Sequence, residues 1–405
     1  MIRTWLNIVA LWLIGVLAAA QLPKIAVLAP VLRETFHLSL AQAGLLVSLL
    51  EIGGAVFGIA AGLALGRFGG RRFLVSGLAV LLVTSVVEAL APTVGVLFAA
   101  RAIEGVGYVL VVIAAPTMIV AIAPDRIRGQ ALVLWSTFVP VGVAVGSGVT
   151  GLAVAATSPK GAMLLWAVLC ALGLFAASRQ ARGTRSEARM TWPAPAAVVL
   201  TFGFGLFTVF VCALTMLLPS FLTEQAGASL SGASLATGLV SLTALPASAI
   251  AMRILHAAGA DPRRAVVATV VPALLAGALV SVFVFHPAVV ASGAAAVSVV
   301  AGLASLLGGI ASPMVFARLP SLAGATGSDD PRIAAANGLL TQFGAGGALI
   351  GPPLGGLVVG RWGWQGLGVC VAVLAVAMLA AILAAERMGR AGAESPEADM
   401  APSRP

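Results

Sequence analysis

Four charged residues stand in stretches that are otherwise almost wholly apolar: Lys24, Glu51, Arg101 and Glu104. A charge in the centre of a hydrocarbon layer costs at least ~2.5 kcal/mol, so such a side chain normally faces a partner or a water-filled path. An ammonium group attracts anions, and a buried carboxylate holds or releases a proton according to its burial and its charged neighbours. These four side chains are therefore candidates for binding an anionic substrate and a proton.

Lys24 and Glu51 are predicted to lie at similar depths. Counted from the polar turn between them, both are about 10–12 residues inside an apolar stretch, which at ~1.5 Å per helical residue places them about 15–18 Å deep. One interpretation is that Lys24 attracts an anionic group of the substrate while Glu51 or Glu104 binds a coupled proton. The alternative is a structural ion pair between Lys24 and Glu51 that joins the first two helices.

Arg101 and Glu104 are three residues apart, so they are expected to meet across one helical turn. Their pair either serves substrate and proton binding or only neutralises the two charges within the membrane. The second half of the chain has no acid or base well inside an apolar stretch, and Gln342 is its polar binding candidate. Its other buried polar residues are expected to be helix-packing groups, among them Asn337, Thr208, Thr215 and Ser312.

The composition places these residues in a membrane. Of the 405 residues, 60% are hydrophobic and only 9% are charged, and the mean hydropathy is +1.09. A soluble domain carries roughly a quarter charged residues, so ordinary soluble enzymes are excluded. The basic residues are not interleaved with aromatic residues, which excludes nucleic acid as a partner.

Other chemistry finds little support in the residue types. Three cysteines and three histidines are dispersed, so we predict no metal site, no disulfide and no cofactor. A nucleotide-binding GxxxxGK[ST] segment is missing from the sequence, and the acids and histidines do not cluster as an active site requires. The chain is therefore predicted not to be an enzyme.

Twelve stretches are long and apolar enough to cross a bilayer as helices, which requires about 20 residues each. We number them spans 1 to 12: 8–33, 41–65, 72–90, 94–122, 129–153, 160–178, 195–221, 231–254, 264–284, 287–317, 333–358 and 362–384.

Loop charges predict the orientation. With the N-terminus inside, 18 arginines lie in the cytoplasmic connections and termini, and three basic residues lie in the external ones. Basic residues accumulate on the cytoplasmic side of membrane proteins. We therefore predict a multi-pass protein of the inner (plasma) membrane with both termini in the cytoplasm.

The spans divide six and six. We predict an N-terminal six-helix bundle at 1–178, a cytoplasmic linker at 179–194, a C-terminal six-helix bundle at 195–385 and a disordered cytoplasmic tail at 386–405. The halves also match each other in chain order, with an offset of 193 for Val47–Leu49 and Val240–Leu242. At an offset of 205, Phe138, Gly142, Gly146 and Gly151 fall on Phe343, Gly347, Gly351 and Gly356.

A glycine- and arginine-containing segment connects spans 2 and 3. It resembles the loop signature of the major facilitator superfamily, although Gly66 occupies the signature's acidic position. The alternative is a short basic turn that only follows the orientation rule. The matching residues are Gly62, Arg67, Gly69, Arg71 and Arg72.

Two helix motifs resemble the same superfamily. Arg101, followed by Gly105 and Gly107, is similar to the motif of its fourth helix, in which glutamine is usual at the position of Glu104. Span 11 resembles the glycine-proline motif of the family's exchangers, which is usually found in the fifth helix. Its residues are Gly338, Gly347, Gly351, Pro352, Gly355 and Gly356.

The resemblance implies an all-α membrane protein with the superfamily's fold, in which twelve transmembrane helices form two pseudo-symmetric six-helix bundles. Segments 44–51, 104–116 and 134–142 look most like the cyanate-permease-type branch. The implied function is secondary transport of a small, anionic solute by alternating access, coupled to protons, by a monomer in the lipid bilayer. A drug or metabolite antiporter, and a receptor or scaffold that does not transport, are the alternatives.

Overall fold

The computed structural model describes residues 2–180, 191–258, 262–325 and 331–394, which form helices joined by short turns. Eleven helical segments of this part of the chain are long and apolar enough to cross a membrane. The last, Ala335–Ala391, contains a non-helical Gly363 with φ of 68° and therefore accounts for spans 11 and 12. The prediction of an all-α membrane protein with twelve spans is confirmed.

The helices of the first half build spans 1 to 6. A 3-10 turn, Leu49–Glu51, separates the third helix from the fourth. The helices are α1 Ile2–Ala19, α2 Gln21–Phe36, α3 Leu40–Ser48, α4 Ile52–Phe68, α5 Gly70–Leu90, α6 Val94–Ile122, α7 Asp125–Ser136, α8 Phe138–Ala156 and α9 Pro159–Ser178.

The helices of the second half build spans 7 to 12. They are α10 Pro195–Glu224, α11 Leu230–Leu242, α12 Ala244–Ala258, α13 Pro262–Val284, α14 Pro287–Ala291, α15 Ala294–Gly309, α16 Ala311–Leu322 and α17 Pro331–Glu394, which is kinked at Gly363.

Short polar residues start many of these helices. The Ser39 side chain accepts a hydrogen bond from the Gln42 N–H at 3.2 Å, and the Gln42 side chain accepts one from the Ser39 N–H at 2.9 Å. The side chains of Thr93, Ser158 and Ser229 likewise accept a backbone N–H at the start of α6, α9 and α11, without the second bond. Each cap satisfies a backbone donor that the first helical turn leaves unpaired, which fixes where the span begins.

Several spans are broken in the middle. Spans 1, 2, 5, 8 and 10 each consist of two helices separated by one to three residues. The breaks in span 2, at Leu49–Glu51, and in span 8, at Thr243, lie at matching positions of the 193-residue repeat. Within a membrane the backbone groups freed at such a break need protein partners.

Some predicted boundaries are wrong. Span 10 begins at Ala294 rather than at residue 287, because Pro287–Ala291 forms a separate short helix and Gly293, with φ of 94°, redirects the chain. The last helix continues to Glu394, past the predicted boundary at 385, and Glu386 is buried in it. Residues 181–190 of the linker and 395–405 of the tail lie outside the described residues.

Hydrophobic cores fill both halves. The first half has one large core, to which α2, α3, α5 and α6 all contribute, and the second half has two, one toward each end of its helices.

Glycines bring the helices of each half together in a matching way. An added Cβ at Gly142 would lie 2.5 Å from the Ala19 Cβ, so α8 packs closely on α1. Gly347, the repeat partner of Gly142, packs against the backbone of Gly205, so α17 packs equally closely on α10. The two halves are therefore built alike, as the internal repeat predicted.

The contacts between the halves follow the same repeat. Gly151 of α8 packs on Ser234 of α11, and Gly356 of α17 packs on the backbone of Ala41 in α3. Gly151 matches Gly356 at an offset of 205, and Ala41 matches Ser234 at an offset of 193. Two equivalent helix pairs thus join the pseudo-symmetric bundles.

Candidate functional site

Lys24 lies in the interior of the first half, where its side chain is fully buried. Its Nζ is 2.7 Å from Glu88 Oε2 and 2.7 Å from Glu104 Oε1. It also donates a hydrogen bond of 3.2 Å to Ser85 Oγ. Lys24 of α2 is thus held by side chains from α5 and α6.

Arg101 extends this arrangement. Its Nη1 donates to Glu104 Oε2 at 2.5 Å, which confirms that the two side chains meet across one helical turn. Glu104 therefore bridges two cations, one with each oxygen. We call Lys24, Glu88, Arg101 and Glu104 the charge cluster, and all four side chains are excluded from solvent.

The break in span 2 positions Arg101. The last carbonyl groups of α3 precede the 3-10 turn, and Arg101 donates to those of Leu46 at 3.2 Å and Val47 at 3.0 Å. It also donates to the Leu22 carbonyl of α2 at 3.3 Å. The guanidinium has five donors in a rigid fork, so one side chain ties three helices together and satisfies backbone groups at the break.

Glu88 is the member of the cluster that the sequence analysis missed. It is the one charged residue between Phe73 and Leu90, which was a usable signal for a functional acid in span 3. Its position two residues from the end of α5 indicated the edge of the bilayer instead. Lys24 on α2 reaches Glu88 through its long, flexible stem, with 2.7 Å between Nζ and Oε2.

Glu51 lies apart from the cluster. Among the described residues, Lys24 pairs with Glu88 and Glu104 and has no ion pair with Glu51, so the predicted structural pair between spans 1 and 2 is wrong. The Glu51 carboxylate instead faces the Tyr108 hydroxyl of α6, within electrostatic range of Arg101. Cys212 of α10 also lies close to it, so Glu51 stands where the two halves meet.

The second half offers hydroxyl and amide groups in this region. Gln342 is half-buried on α17 opposite Gly58 of α4, and none of the hydrogen bonds among the described residues involves it. Thr208 and Thr215 donate to carbonyls of their own helix, at 2.8 and 2.7 Å, as expected for helix-packing groups. Gln342 is therefore near the interface but outside the charge cluster.

The structure describes only some side chains of the loop motif. Gly62 and Arg67 fall in α4, and their side chains lie outside the described residues. Gly69, with φ of 86°, forms the turn before α5, and Arg71 donates to the Ser178 carbonyl at the end of α9. Arg72 is exposed.

The glycine-proline motif of span 11 packs on two neighbours. Gly347, Gly351 and Gly355 face α10 within the second half, whereas Gly356 and the Pro352 carbonyl face α3 of the first half. Gly338, the remaining member, lies half-buried near the start of α17. The motif therefore brings the halves into backbone contact.

Charge is nearly balanced in the buried region. Two cations, Lys24 and Arg101, face three carboxylates, Glu51, Glu88 and Glu104. In the described part of the chain, no group of three histidine, cysteine, aspartate or glutamate side chains has the arrangement of a metal site. The chemistry available here is reversible binding of anions and protons.

Known proteins resemble short parts of the chain. The D-xylose-proton symporter-like 2 of Arabidopsis thaliana is 38% identical over 120 residues, which are 29% of this chain and 24% of that protein. The arabinose-proton symporter of Bacillus subtilis is 32% identical over 112 residues, 28% of this chain and 24% of that protein. The methylenomycin A resistance protein of Streptomyces coelicolor is 34% identical over 131 residues, 32% of this chain and 27% of that protein. The matches thus span about a quarter of each relative's length.

Solved structures share the fold over almost the whole chain. Two inward-facing structures of a bacterial homologue of the human lysosomal transporter Spinster, one unoccupied and one occupied, superpose with TM-scores of 0.72 and 0.75. Each superposition covers 95% of this chain and 97% of the solved chain, at 17% sequence identity. The profile of the Major Facilitator Superfamily matches residues 11–328. The chain is a multi-pass membrane protein that belongs to the Major Facilitator Superfamily.

Proposed function

We propose that the chain is a secondary active transporter that moves a small anionic solute together with protons by alternating access. The observation that carries the proposal is the position of Lys24, a fully buried cation held by two carboxylates at 2.7 Å each. A buried ion pair is weak evidence for stability, because desolvating both charges offsets most of their attraction. Its retention in the membrane interior therefore favours a role in binding.

The carboxylates beside Lys24 can couple the binding of a proton to the binding of an anion. When both carboxylates are ionised, they compete with a solute anion for the ammonium group. Protonation of one carboxylate removes that competitor and leaves a positive charge for the anion. A proton and an anion that enter together also leave the buried site neutral, which a low-dielectric interior favours.

The interface between the halves supports alternating access. Its contacts are glycine-mediated, and a half-exposed ion pair between Arg33 and Glu224 joins α2 to α10. In the predicted topology this pair lies on the external side. Small, repeat-related contacts of this kind suit two bundles that rock against each other about a central site.

Two of the relatives are named as proton symporters of sugars, which supports proton coupling here. The solute is expected to differ, because a sugar carries no charge with which to satisfy Lys24. We keep the cyanate-permease-type branch, the inner membrane, the cytoplasmic termini, the disordered end of the tail and the monomeric state as predictions.

Uptake by reconstituted protein tests the proposal. In liposomes with a proton gradient and a panel of labelled small anions, Lys24→Ala is expected to lower uptake about tenfold or more, since a charge-assisted contact contributes ~1.5–3 kcal/mol. Glu51→Gln tests the second proton-binding candidate. Lys160→Ala is the matched control, because Lys160 is the other lysine and lies exposed at the start of α9. Wild-type uptake by folded Lys24→Ala and Glu51→Gln proteins would refute the assignment of the site.

Efflux of a drug or metabolite in exchange for protons is the second candidate. It is favoured by the match to a methylenomycin resistance protein and by the glycine-proline motif in span 11. Proton-driven export of a labelled hydrophobic compound by the same liposomes, without anion uptake, would select it. Absence of flux for every compound would select the receptor or scaffold.

A further inference from the structure

We infer that Glu88 carries a proton that it shares with Glu104, and that this carboxyl pair is the proton-binding site of the transport cycle. The assignment deepens the proposed function and rests on it. It names a residue on α5 that the motifs of the sequence do not indicate.

Glu88 is paired with Lys24 but has no further donor beside it among the described residues. Neither of its carboxylate oxygens accepts a hydrogen bond from the described residues, although Lys24 Nζ lies 2.7 Å from Oε2. The side chain is fully buried, and its carboxyl group lies within hydrogen-bonding reach of the Glu104 carboxylate. Two carboxylates in contact repel each other, whereas a proton between them turns the contact into a hydrogen bond.

The charges around Glu88 come from two packed helices. Lys24 faces it from α2, and Glu104 and Arg101 face it from α6. On its own helix Ser85 donates no bond to it, and α9 contributes the uncharged Cys170 thiol nearby. Within the charge cluster two carboxylates balance two cations, so a proton on Glu88 leaves one positive charge there, while Glu51 lies apart.

The geometry selects Glu88 among the three carboxylates. Glu104 is held by Lys24 at 2.7 Å and by Arg101 at 2.5 Å, so both of its oxygens accept from cations and favour the ionised form. Glu51 has the Tyr108 hydroxyl as a neighbour and lies at the interface between the halves. Glu88 shares one cation with Glu104, and it lacks any other donor among the described groups.

Protonation of Glu88 changes what Lys24 can bind. The proton comes from water and remains on a Glu88 oxygen, from which it points toward Glu104. Glu104 then balances one of the two cations, and the remaining positive charge attracts the solute anion. Loss of the proton restores the Glu88 carboxylate as the partner of Lys24 and expels the anion.

Infrared difference spectroscopy on the full-length protein in detergent micelles tests the assignment. At neutral pH and without solute, the wild-type protein is expected to show the carbonyl stretch of a protonated carboxyl group. Glu88→Gln should remove this band. Glu104→Gln should remove it too, because Glu88 then becomes the sole acidic partner of Lys24 and ionises. Glu51→Gln, which removes the other proton-binding candidate, should retain it.

A band that survives in Glu88→Gln, or one that disappears in Glu51→Gln, would overturn the assignment. Absence of the band from the wild-type protein would overturn it without any variant, so a misfolded mutant does not weaken the test. The measurement needs neither solute nor gradient. If the band behaves as expected but the protein transports nothing, the proposed function is refuted and the proton site is not. If the protein transports a solute but shows no band, the proton site is refuted and the proposed function is not.

Discussion

The two halves of this protein share a scaffold but differ in what they bury. In the first half, α2, α5 and α6 bury four ionisable side chains in direct contact. In the second half, the described buried polar side chains are serines and threonines, apart from Glu386 near the end of the last helix. Matching glycine contacts hold both halves together. Duplication of a helical unit therefore preserved the packing without preserving the chemistry.

The difference indicates that the two halves have different roles. Backbone-to-backbone packing depends on small residues and survives in both copies. Charged groups in a membrane interior are costly, so a half that does not use them is expected to lose them. We expect the second half to contribute surface and motion, and four experiments compare the two halves.

Arg101→Ala should have the largest effect. The substitution leaves part of Glu104 and three backbone carbonyls without their donor in a buried environment, and breaking a buried pair typically costs about 3–5 kcal/mol. Unfolding of the purified protein in detergent, followed by heat or denaturant, measures the loss. Ser281→Ala is the control from the second half, where Ser281 donates only to its own helix, at 2.7 Å, and about 0.6 kcal/mol is expected. Equal losses for the two variants would contradict the comparison.

Glu386→Gln should cost less, about 1.5–3 kcal/mol, the value of hydrogen bonds to charged groups. Glu386 accepts from Arg318 at 2.7 and 2.8 Å, and Arg263 lies 3.7 Å away. Glutamine keeps one oxygen that can accept from Arg318, whose side chain is 13% exposed, so the substitution removes the charge and one of the two hydrogen bonds. Replacement of the exposed neighbour Arg387 by alanine is the control and should leave stability unchanged. A loss larger than that of Arg101→Ala would place the more costly buried charge in the second half.

Gly142→Ala and Gly347→Ala should destabilise the protein by similar amounts, about 1–3 kcal/mol each, because both overpack a helix contact. At each position the added Cβ meets backbone of the neighbouring helix, α1 or α10. Gly148→Ala and Gly346→Ala are the controls, since a Cβ there meets Leu235 at 3.6 Å or nothing within 4 Å. The same unfolding assay measures all four variants. Strongly unequal costs at Gly142 and Gly347 would show that the scaffold is not symmetric.

The ion pair between Arg33 and Glu224 should contribute least. Its side chains are 25% and 33% exposed, and pairs in contact with water are usually worth less than about 1 kcal/mol. A double-mutant cycle of Arg33→Ala and Glu224→Ala measures the coupling, which should fall further as salt is added. A coupling as strong as that within the charge cluster would make this pair a principal link between the halves.

The sequence predicted the architecture well because lipid restricts it severely. Spans, their number and the repeat follow from apolar length and glycine spacing, and Arg101 with Glu104 follows from helical periodicity. The start of span 10 was placed too early because Pro287–Ala291 is as apolar as the helix that follows it. The end of the last helix was placed too early because the last 20 or so residues lack apolar periodicity, whereas two arginines from other helices pair with Glu386.

The partners of Lys24 were beyond sequence reasoning. Similar depth in the membrane predicted Glu51 as the partner of Lys24. Depth alone does not decide a contact, because the direction in which a side chain points around its helix decides which neighbour it meets. Glu88, Ser85 and Glu104 come from two other helices, and only their packing brings them to Lys24.

The sequence by itself determined a twelve-span, duplicated membrane protein in which the charges deep inside the predicted spans lie in the first half, since hydrophobic length and charge cost are properties of residues. Tertiary structure alone decided that Lys24 lies between Glu88 and Glu104, that Arg101 satisfies the break in span 2, and that Glu51 faces the other half. These contacts depend on helix rotation and packing, which the chemistry of a single segment does not fix.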